Sequence, residues 1–368
     1  MKSNPSCAVH TKKHFGVLRI IIPTVLLVLI SNCALQPTLT PPNQTSFPVI
    51  SNRNAAQIRL LKEWEIYDVN AITWSIDSST FAVAGKENSD NVNLFGIYTY
   101  DINSFEKLWF SEVYVPFSLT YSPDNKSIAV PSLGLFLLNA KTGERTKEIP
   151  YQRGCIGSQE IKYNSDGTHI FTLSTDPDYR TTTISIWDVE SNHCLRTIED
   201  NGVAFDFRLS RDGSFLALGL RDIGKSLEQQ VHIWNTETQK IICSFKATYH
   251  PVAFTSKGNI IAAGSIDREG DIDLWDTKTC QILDTFHQEK QKGFFSMDFS
   301  PDEKLLIVGG NFTFDIWDMV NKKIIFESGI LPNPVKLLTF SPDGRYILSE
   351  TDRVSFDSKA IITLWGVK

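Results

Sequence analysis

Apolar and polar positions alternate along this chain in short runs separated by tight turns, and the pattern keeps returning. Residues 293–318, GFFSMDFSPDEKLLIVGGNFTFDIWD, show the unit: an alternating run ending at Phe299, a turn at Ser300-Pro301-Asp302, an apolar run, a loop, and a third run ending at Trp317-Asp318. Period-two alternation over so few residues, bounded by Ser, Pro, Asp and Gly, predicts β-strands and hairpins rather than helices. Two columns of residues follow when the copies are aligned. The first is the turn after the first strand: Trp74-Ser75-Ile76-Asp77, Tyr121-Ser122-Pro123-Asp124, Tyr163-Asn164-Ser165-Asp166-Gly167, Leu209-Ser210-Arg211-Asp212-Gly213, Phe254-Thr255-Ser256-Lys257-Gly258, Phe299-Ser300-Pro301-Asp302 and Phe340-Ser341-Pro342-Asp343-Gly344, spaced 41 to 47 residues apart. Pro presets φ there, Asp bonds the local backbone, and Gly accepts the left-handed conformation.

The second column closes the third strand, at Tyr100, Leu138, Trp187, Trp234, Trp275, Trp317 and Trp365. Copies three to six read Ile186-Trp187-Asp188, Ile233-Trp234-Asn235, Leu274-Trp275-Asp276 and Ile316-Trp317-Asp318, each followed by a short turn and a fourth strand such as Lys240-Ile241-Ile242-Cys243-Ser244-Phe245. Each copy is therefore four short strands, apolar enough to be sandwiched between neighbouring sheets.

Residues 55–368 resemble a seven-bladed β-propeller of the WD-repeat family, an all-β fold of four-stranded blades. Two departures stand out. The Gly-His pair that usually opens a blade is absent from every copy, and with it the buried Asp-His-Ser/Thr-Trp hydrogen-bond set is expected to be lost. The Ser-Pro-Asp-Gly turns are closer to bacterial relatives. Closure of the ring follows from the strand count: the chain stops after the third strand of copy seven, at Ile361-Ile362-Thr363-Leu364-Trp365-Gly366-Val367-Lys368, and residues 57–66, QIRLLKEWEI, have the length and apolar content to supply the missing fourth. That strand would complete the last blade and cover its edge.

Ahead of the repeats, residues 1–33 read as an export signal, with Lys12, Lys13, His14 and Arg19 followed by the apolar run from Ile20 to Ile30. The run is too short to span a bilayer, which takes about 20 residues. Its end, Leu29-Ile30-Ser31-Asn32-Cys33-Ala34, resembles the lipobox of bacterial lipoproteins, although Asn32 stands where that family has Gly, Ala or Ser. The resemblance implies lipidation of Cys33 and an extracytoplasmic, membrane-anchored protein; an uncleaved signal anchor or a secreted form are the alternatives. Residues 34–54, rich in Pro, Thr, Ser and Asn, read as a flexible linker.

Composition adds exclusions. The formal charge is −6, but residues 1–32 hold four cations and no carboxylate, so the rest carries 32 basic and 42 acidic groups. A chain so balanced lacks the basic footprint of a nucleic-acid binder. Cys7, Cys33, Cys155, Cys194, Cys243 and Cys280 form no CxxC pair, and the last four fall at separate places in the repeat; they read as small buried or unpaired thiols, with a disulfide between two of the six as the alternative. His169, His193, His232, His250 and His287 sit at unrelated repeat positions, so no metal site and no cofactor is expected. Asp188, Asp276 and Asp318 read as turn formers rather than ligands or acid–base groups.

What remains is an asymmetry of loops. Turns between strands one and two and between three and four are uniformly short, whereas loops between strands two and three (86–93, 175–183, 220–230, 266–271, 350–360) vary widely, with almost none in copy two. These loops share one face with the blade-to-blade connections. Long loops on a rigid scaffold are where binding groups lie. Tyr179, Arg180, Arg221, Arg268, Arg353 and Phe356 are the candidate contacts, since Arg and aromatic residues dominate interface energetics. The expected function is a non-catalytic protein-binding or scaffold module, with a protein partner, a lipid anchor and no nucleic acid. An extracytoplasmic hydrolase-like enzyme using the central pocket is the alternative, and a third option is a structural part of an envelope assembly.

Overall fold

A computed structural model describes residues 47–86, 94–155, 157, 159–210, 212–221, 229–247, 252–287, 293–351 and 359–368. They form seven four-stranded antiparallel sheets arranged as the blades of a propeller. Blade one spans 68–112, blade two 120–149, blade three 160–201, blade four 203–247, blade five 253–286 and blade six 294–327. Blade seven takes its inner three strands from 335–367 and its outermost from Ile58–Ile66.

The closing strand pairs in antiparallel register, Ile58 opposite Val367 and Ile66 opposite Ala360, and buries both isoleucines. Its Trp64 leans across to blade one, with the ring centroids of Phe81 and Tyr100 5.0 and 5.6 Å away. The clasp starts before the boundary expected at residue 55. Ile50 N–H donates to the Gly344 carbonyl at 2.9 Å, Arg345 donates to the Phe47 carbonyl, and Asn52 reaches Asp318 at 3.0 Å.

Packing between blades is apolar, in seven layers that alternate with the seven sheets. Each layer draws on both neighbours, as where Phe171, Ile184 and Ile186 of blade three meet Phe207, Leu216 and Leu218 of blade four. Alternate residues of a strand point to opposite faces, so a blade needs apolar residues on both, which accounts for near-continuous apolar runs such as Leu305–Gly310.

Both expected turn columns have a visible cause. In the first turn, Ser hydroxyls donate to the Asp two residues on, at 2.7 Å for Ser122 to Asp124 and Ser210 to Asp212, 2.8 Å for Ser300 to Asp302 and 2.6 Å for Ser341 to Asp343. The same hydroxyl accepts the backbone N–H five residues on, 2.9 Å for Leu305 to Ser300. The next position is left-handed, at φ 73° in Gly167, 77° in Gly213, 67° in Gly258 and 72° in Gly344. Gly258 also lies so close to blade four that a Cβ there would meet the Ser210 Cβ at 2.7 Å. Where glycine is missing, the side chain instead bridges to the preceding turn: Asn125 accepts the Ile76 N–H at 2.7 Å, Glu303 accepts the Ser256 N–H at 2.9 Å, and Ser78 accepts the Asp343 N–H at 3.0 Å. In the second column Asp188, Asp276 and Asp318 cap their turns through backbone N–H groups of Ser191, Thr279 and Asn321 at 2.7, 2.7 and 3.0 Å. Burial opposes ionisation of Asp318, but bonds from Asn321, Asn52 and Val320 outweigh it and hold the carboxyl at about 2.

Two expectations require correction. Cys155, Cys194, Cys243 and Cys280 are not thiols: Cys155 is bonded to Cys194 and Cys243 to Cys280, with Cα atoms 6.3 and 5.3 Å apart. Separations of 39 and 37 residues, just under one repeat, bring residues at different repeat positions together. Cys243 in the fourth strand of blade four meets Cys280 in the last turn of blade five, so this bridge joins two blades. The buried tryptophan network is also not wholly lost. Trp187 donates to Thr172 and Trp365 to Ser349, each at 2.9 Å, while Trp234 donates to Asp200 at 3.0 Å beside His232.

Candidate functional site

In such a sheet the loops between strands two and three and the blade-to-blade connections emerge on one face, the loop face, and the short turns on the other. Of the sequence-derived contacts, three gather at the seam of blades three and four. Tyr179 stands exposed in a left-handed conformation at φ 55°, Arg180 follows it, and the Arg180 carbonyl accepts the Gly202 N–H at 2.6 Å. Gly202 in turn lies against the Arg221 carbonyl, 2.9 Å from where a Cβ would stand, which places Arg221 beside them. Arg268 is apart on blade five, its Nε 3.9 Å from Asp271, whose carboxylate also holds His287 at 2.6 Å. Arg353, Phe356 and Cys33 lie outside the described residues.

The loop face carries a second feature that loop length did not indicate. Tyr114 and Phe117, in the connection from blade one to blade two, and Leu133, in the short loop of blade two, are exposed at 64%, 49% and 76%. The Ser132 hydroxyl donates to the Tyr114 carbonyl and fixes these segments together. Ile266, Phe312 and Ile330 are exposed on the same face over blades five to seven, and Leu331 N–H donates to the Phe312 carbonyl at 2.6 Å. Among the described residues the turn face exposes Val49, Ile76 and Val320. Tyr114, Phe117 and Leu133, on segments held together by the Ser132–Tyr114 bond, form a local exposed apolar cluster, and clusters of that kind mark interaction surfaces. A search for Val, Leu and aromatic residues in short connections, rather than for long loops, would have found it.

A third feature is the central channel, lined by the first strands. Its loop-face half has a volume of about 350 Å³ and is bounded by Asn70, Ser118, Glu160, Lys162, Asp206, Arg208, Phe295, Ser296 and Lys336. The other half, of about 350 Å³, reaches Thr73, Asp298 and Thr339. Register shifts at 69–71, 204–206, 294–296 and 335–337 put a bulge at the mouth end of four first strands. Bulges of this kind re-aim side chains beside binding sites.

The charged groups here come one blade at a time. Glu160 accepts the Ser118 hydroxyl at 2.8 Å. Asp206 accepts the Val252 N–H at 2.6 Å and lies 3.2 Å from the Arg208 Nε, which also donates to the Val252 carbonyl at 3.0 Å. Asp298 accepts the Phe340 N–H at 2.9 Å and the Thr339 hydroxyl at 3.0 Å. Asp206 beside it, then Asp298 and Glu160 from farther off, raise the Arg208 guanidinium above its ordinary value despite its depth in the ring. Burial lifts the Asp298 carboxyl, against the pull of Phe340, Thr339 and Arg208. These side chains sit deep among protein atoms yet face open space, for Arg208 remains 34% exposed. Among the described residues no group of three or more His, Cys, Asp or Glu could hold a metal ion.

Comparison with known proteins follows the same architecture. Residues 280–318 match the family model "WD domain, G-beta repeat". Periodic tryptophan protein 2 of Arabidopsis thaliana is 26% identical over 199 residues, covering 52% of this chain and 20% of its own. U3 small nucleolar RNA-associated protein 12 of Saccharomyces cerevisiae is 28% identical over 199 residues, covering 47% and 20%. The Periodic tryptophan protein 2 homolog of Schizosaccharomyces pombe is 31% identical over 118 residues, covering 32% and 13%. The chain thus spans a fifth or less of the length of these relatives. Seven four-stranded blades, with one WD repeat matched at 280–318, make this chain a seven-bladed β-propeller that resembles the WD-repeat family.

Proposed function

We propose that the propeller is a non-catalytic protein-binding module, exported and held at a membrane by lipid on Cys33, which recognises a protein partner with its loop face. The observation that carries this reading is the exposed apolar set Tyr114, Phe117, Leu133, Phe312 and Ile330 on that face. Aromatic and aliphatic groups on a rigid rim are the usual anchors of an interface. The segments matched in the relatives make up a fifth of those larger proteins, as a binding module within a larger protein would. The acidic balance beyond residue 32 favours protein over nucleic acid. The disulfides Cys155–Cys194 and Cys243–Cys280 support export, because such bridges persist in oxidising compartments and are rare in reducing ones.

Two measurements test the two halves. In-cell crosslinking of the anchored protein should recover a partner, and Tyr114→Ser with Leu133→Ser and Ile330→Ser should lose it while Val320→Ser on the turn face keeps it. Equal recovery from both variants would move the binding surface elsewhere. For the anchor, Cys33→Ala should abolish acyl labelling and release the protein from the membrane fraction; labelling unchanged by the substitution would remove the lipid.

A further inference from the structure

The channel charges are not equally occupied. Glu160 has the Ser118 hydroxyl, Asp206 the Val252 N–H and Arg208 Nε, and Asp298 the Thr339 hydroxyl and Phe340 N–H. The cations differ: the Lys162 ammonium and the two terminal amino groups of Arg208 have no hydrogen-bond partner among the described residues. Lys162 and Arg208 occupy the same position of the first strands of neighbouring blades, each next to last, so they stand side by side on the channel wall. Nε of Arg208 is fixed by Asp206 and Val252, and the fork of the guanidinium is thereby held in orientation. A held guanidinium fork matches the two oxygens of a carboxylate. Ile72 and Leu337, shared by both halves of the channel, add an apolar patch to this largely polar wall.

We propose that the channel binds a small organic monocarboxylate, its two oxygens between the Lys162 ammonium and the Arg208 amino groups and its apolar body against Ile72 and Leu337. The volume suits such a ligand, since small-molecule pockets begin at about 300 Å³. The channel holds three cations, Lys162, Arg208 and Lys336, and three carboxyl groups, Glu160, Asp206 and Asp298, so a ligand with one negative charge is repelled less than a phosphate dianion. The carboxylate could belong to a free small molecule or to the C-terminus of a peptide entering from the loop face. This inference rests on the channel alone and is independent of the apolar rim.

The test is calorimetric titration of the full chain in detergent micelles with hexanoate, benzoate and N-acetyl-leucine, with N-acetyl-leucinamide as the uncharged control, and with a leucine-ended pentapeptide as free acid and as amide. At least one acid should bind saturably at a single site, and its amide should bind roughly tenfold or more weakly, the size of one charge-assisted hydrogen bond lost. Lys162→Gln, which breaks no contact within the fold, should weaken the acid to a similar extent and leave circular dichroism unchanged. Arg208→Lys should do the same while keeping the charge, because it removes the fork. Binding of the free acids alone identifies a small metabolite, and binding of the peptide acid alone identifies a chain end; either supports the site. Failure of every acid to saturate, equal binding of acid and amide, or an unchanged affinity in both variants overturns it.

Discussion

Deletion of residues 55–67 is expected to leave a chain that does not fold. The segment supplies the outermost strand of blade seven and buries Ala55, Ile58 and Ile66 completely, with Trp64 packed on Phe81, Tyr100 and Phe105 of blade one. Each large apolar side chain contributes about 1.5 to 3 kcal/mol, and the ladder against Ala360–Val367 would lose its partner. The sum reaches the order of 10 kcal/mol, comparable with the whole stability of an ordinary domain, about 5 to 15 kcal/mol. Without the strand, Ala360–Val367 becomes an exposed apolar edge, which invites aggregation. The measurement is a thermal melt followed by circular dichroism, with limited proteolysis beside it. A cooperative transition at the parental temperature would show that the ring closes without its clasp. A synthetic peptide covering 47–67 added to the deleted chain should restore the transition.

Loss of the two disulfides is the next largest effect. The bridges close loops of 39 and 37 residues, so each is expected to contribute about 3 to 4 kcal/mol by restricting the unfolded chain. Cys155→Ser with Cys194→Ser, and Cys243→Ser with Cys280→Ser, should each lower Tm by roughly 5 to 10 °C. The two pairs share no residue, and their effects should add. Reductant should lower Tm of the parent by about the same total and leave the fourfold serine variant unmoved. A parent protein indifferent to reductant would mean that the bridges do not form, and it would take away the support they give to export.

Much of the fold was legible because its cause is local. A Ser that donates to an Asp two residues on, or an Asp that caps the turn after a Trp, announces itself wherever it occurs. Seven copies of such turns fix the number of blades, and a chain one strand short at its end must find that strand elsewhere, as Ile58–Ile66 shows. The disulfides were not legible, because Cys243 and Cys280 hold different places in the repeat and meet only through the face-to-face stacking of blades four and five. The channel escaped for a related reason. Lys162, Arg208 and Asp298 occupy one position of the first strand in blades three, four and six, where blades one, two and seven have Thr73, Thr120 and Thr339. Read along the chain they are isolated charges, and they become a constellation only across the ring. Loop length points to the seam of Tyr179, Arg180 and Arg221, whereas exposed Leu133 of blade two lies where the loop is shortest.

The turn-face contacts bear on the order of the blades. Asn125, Glu303 and Ser78 each hold a partner in the preceding turn, whereas Gly213 and Gly258 leave the space their neighbours fill. Five of the seven blades are thus fitted to their predecessors at the rim as well as in the core. The seven copies are therefore not interchangeable parts. A rearranged ring would have to move blades one and two, five and six, and seven and one as matched couples, and drift at any of these turns is constrained by the residue it faces next door.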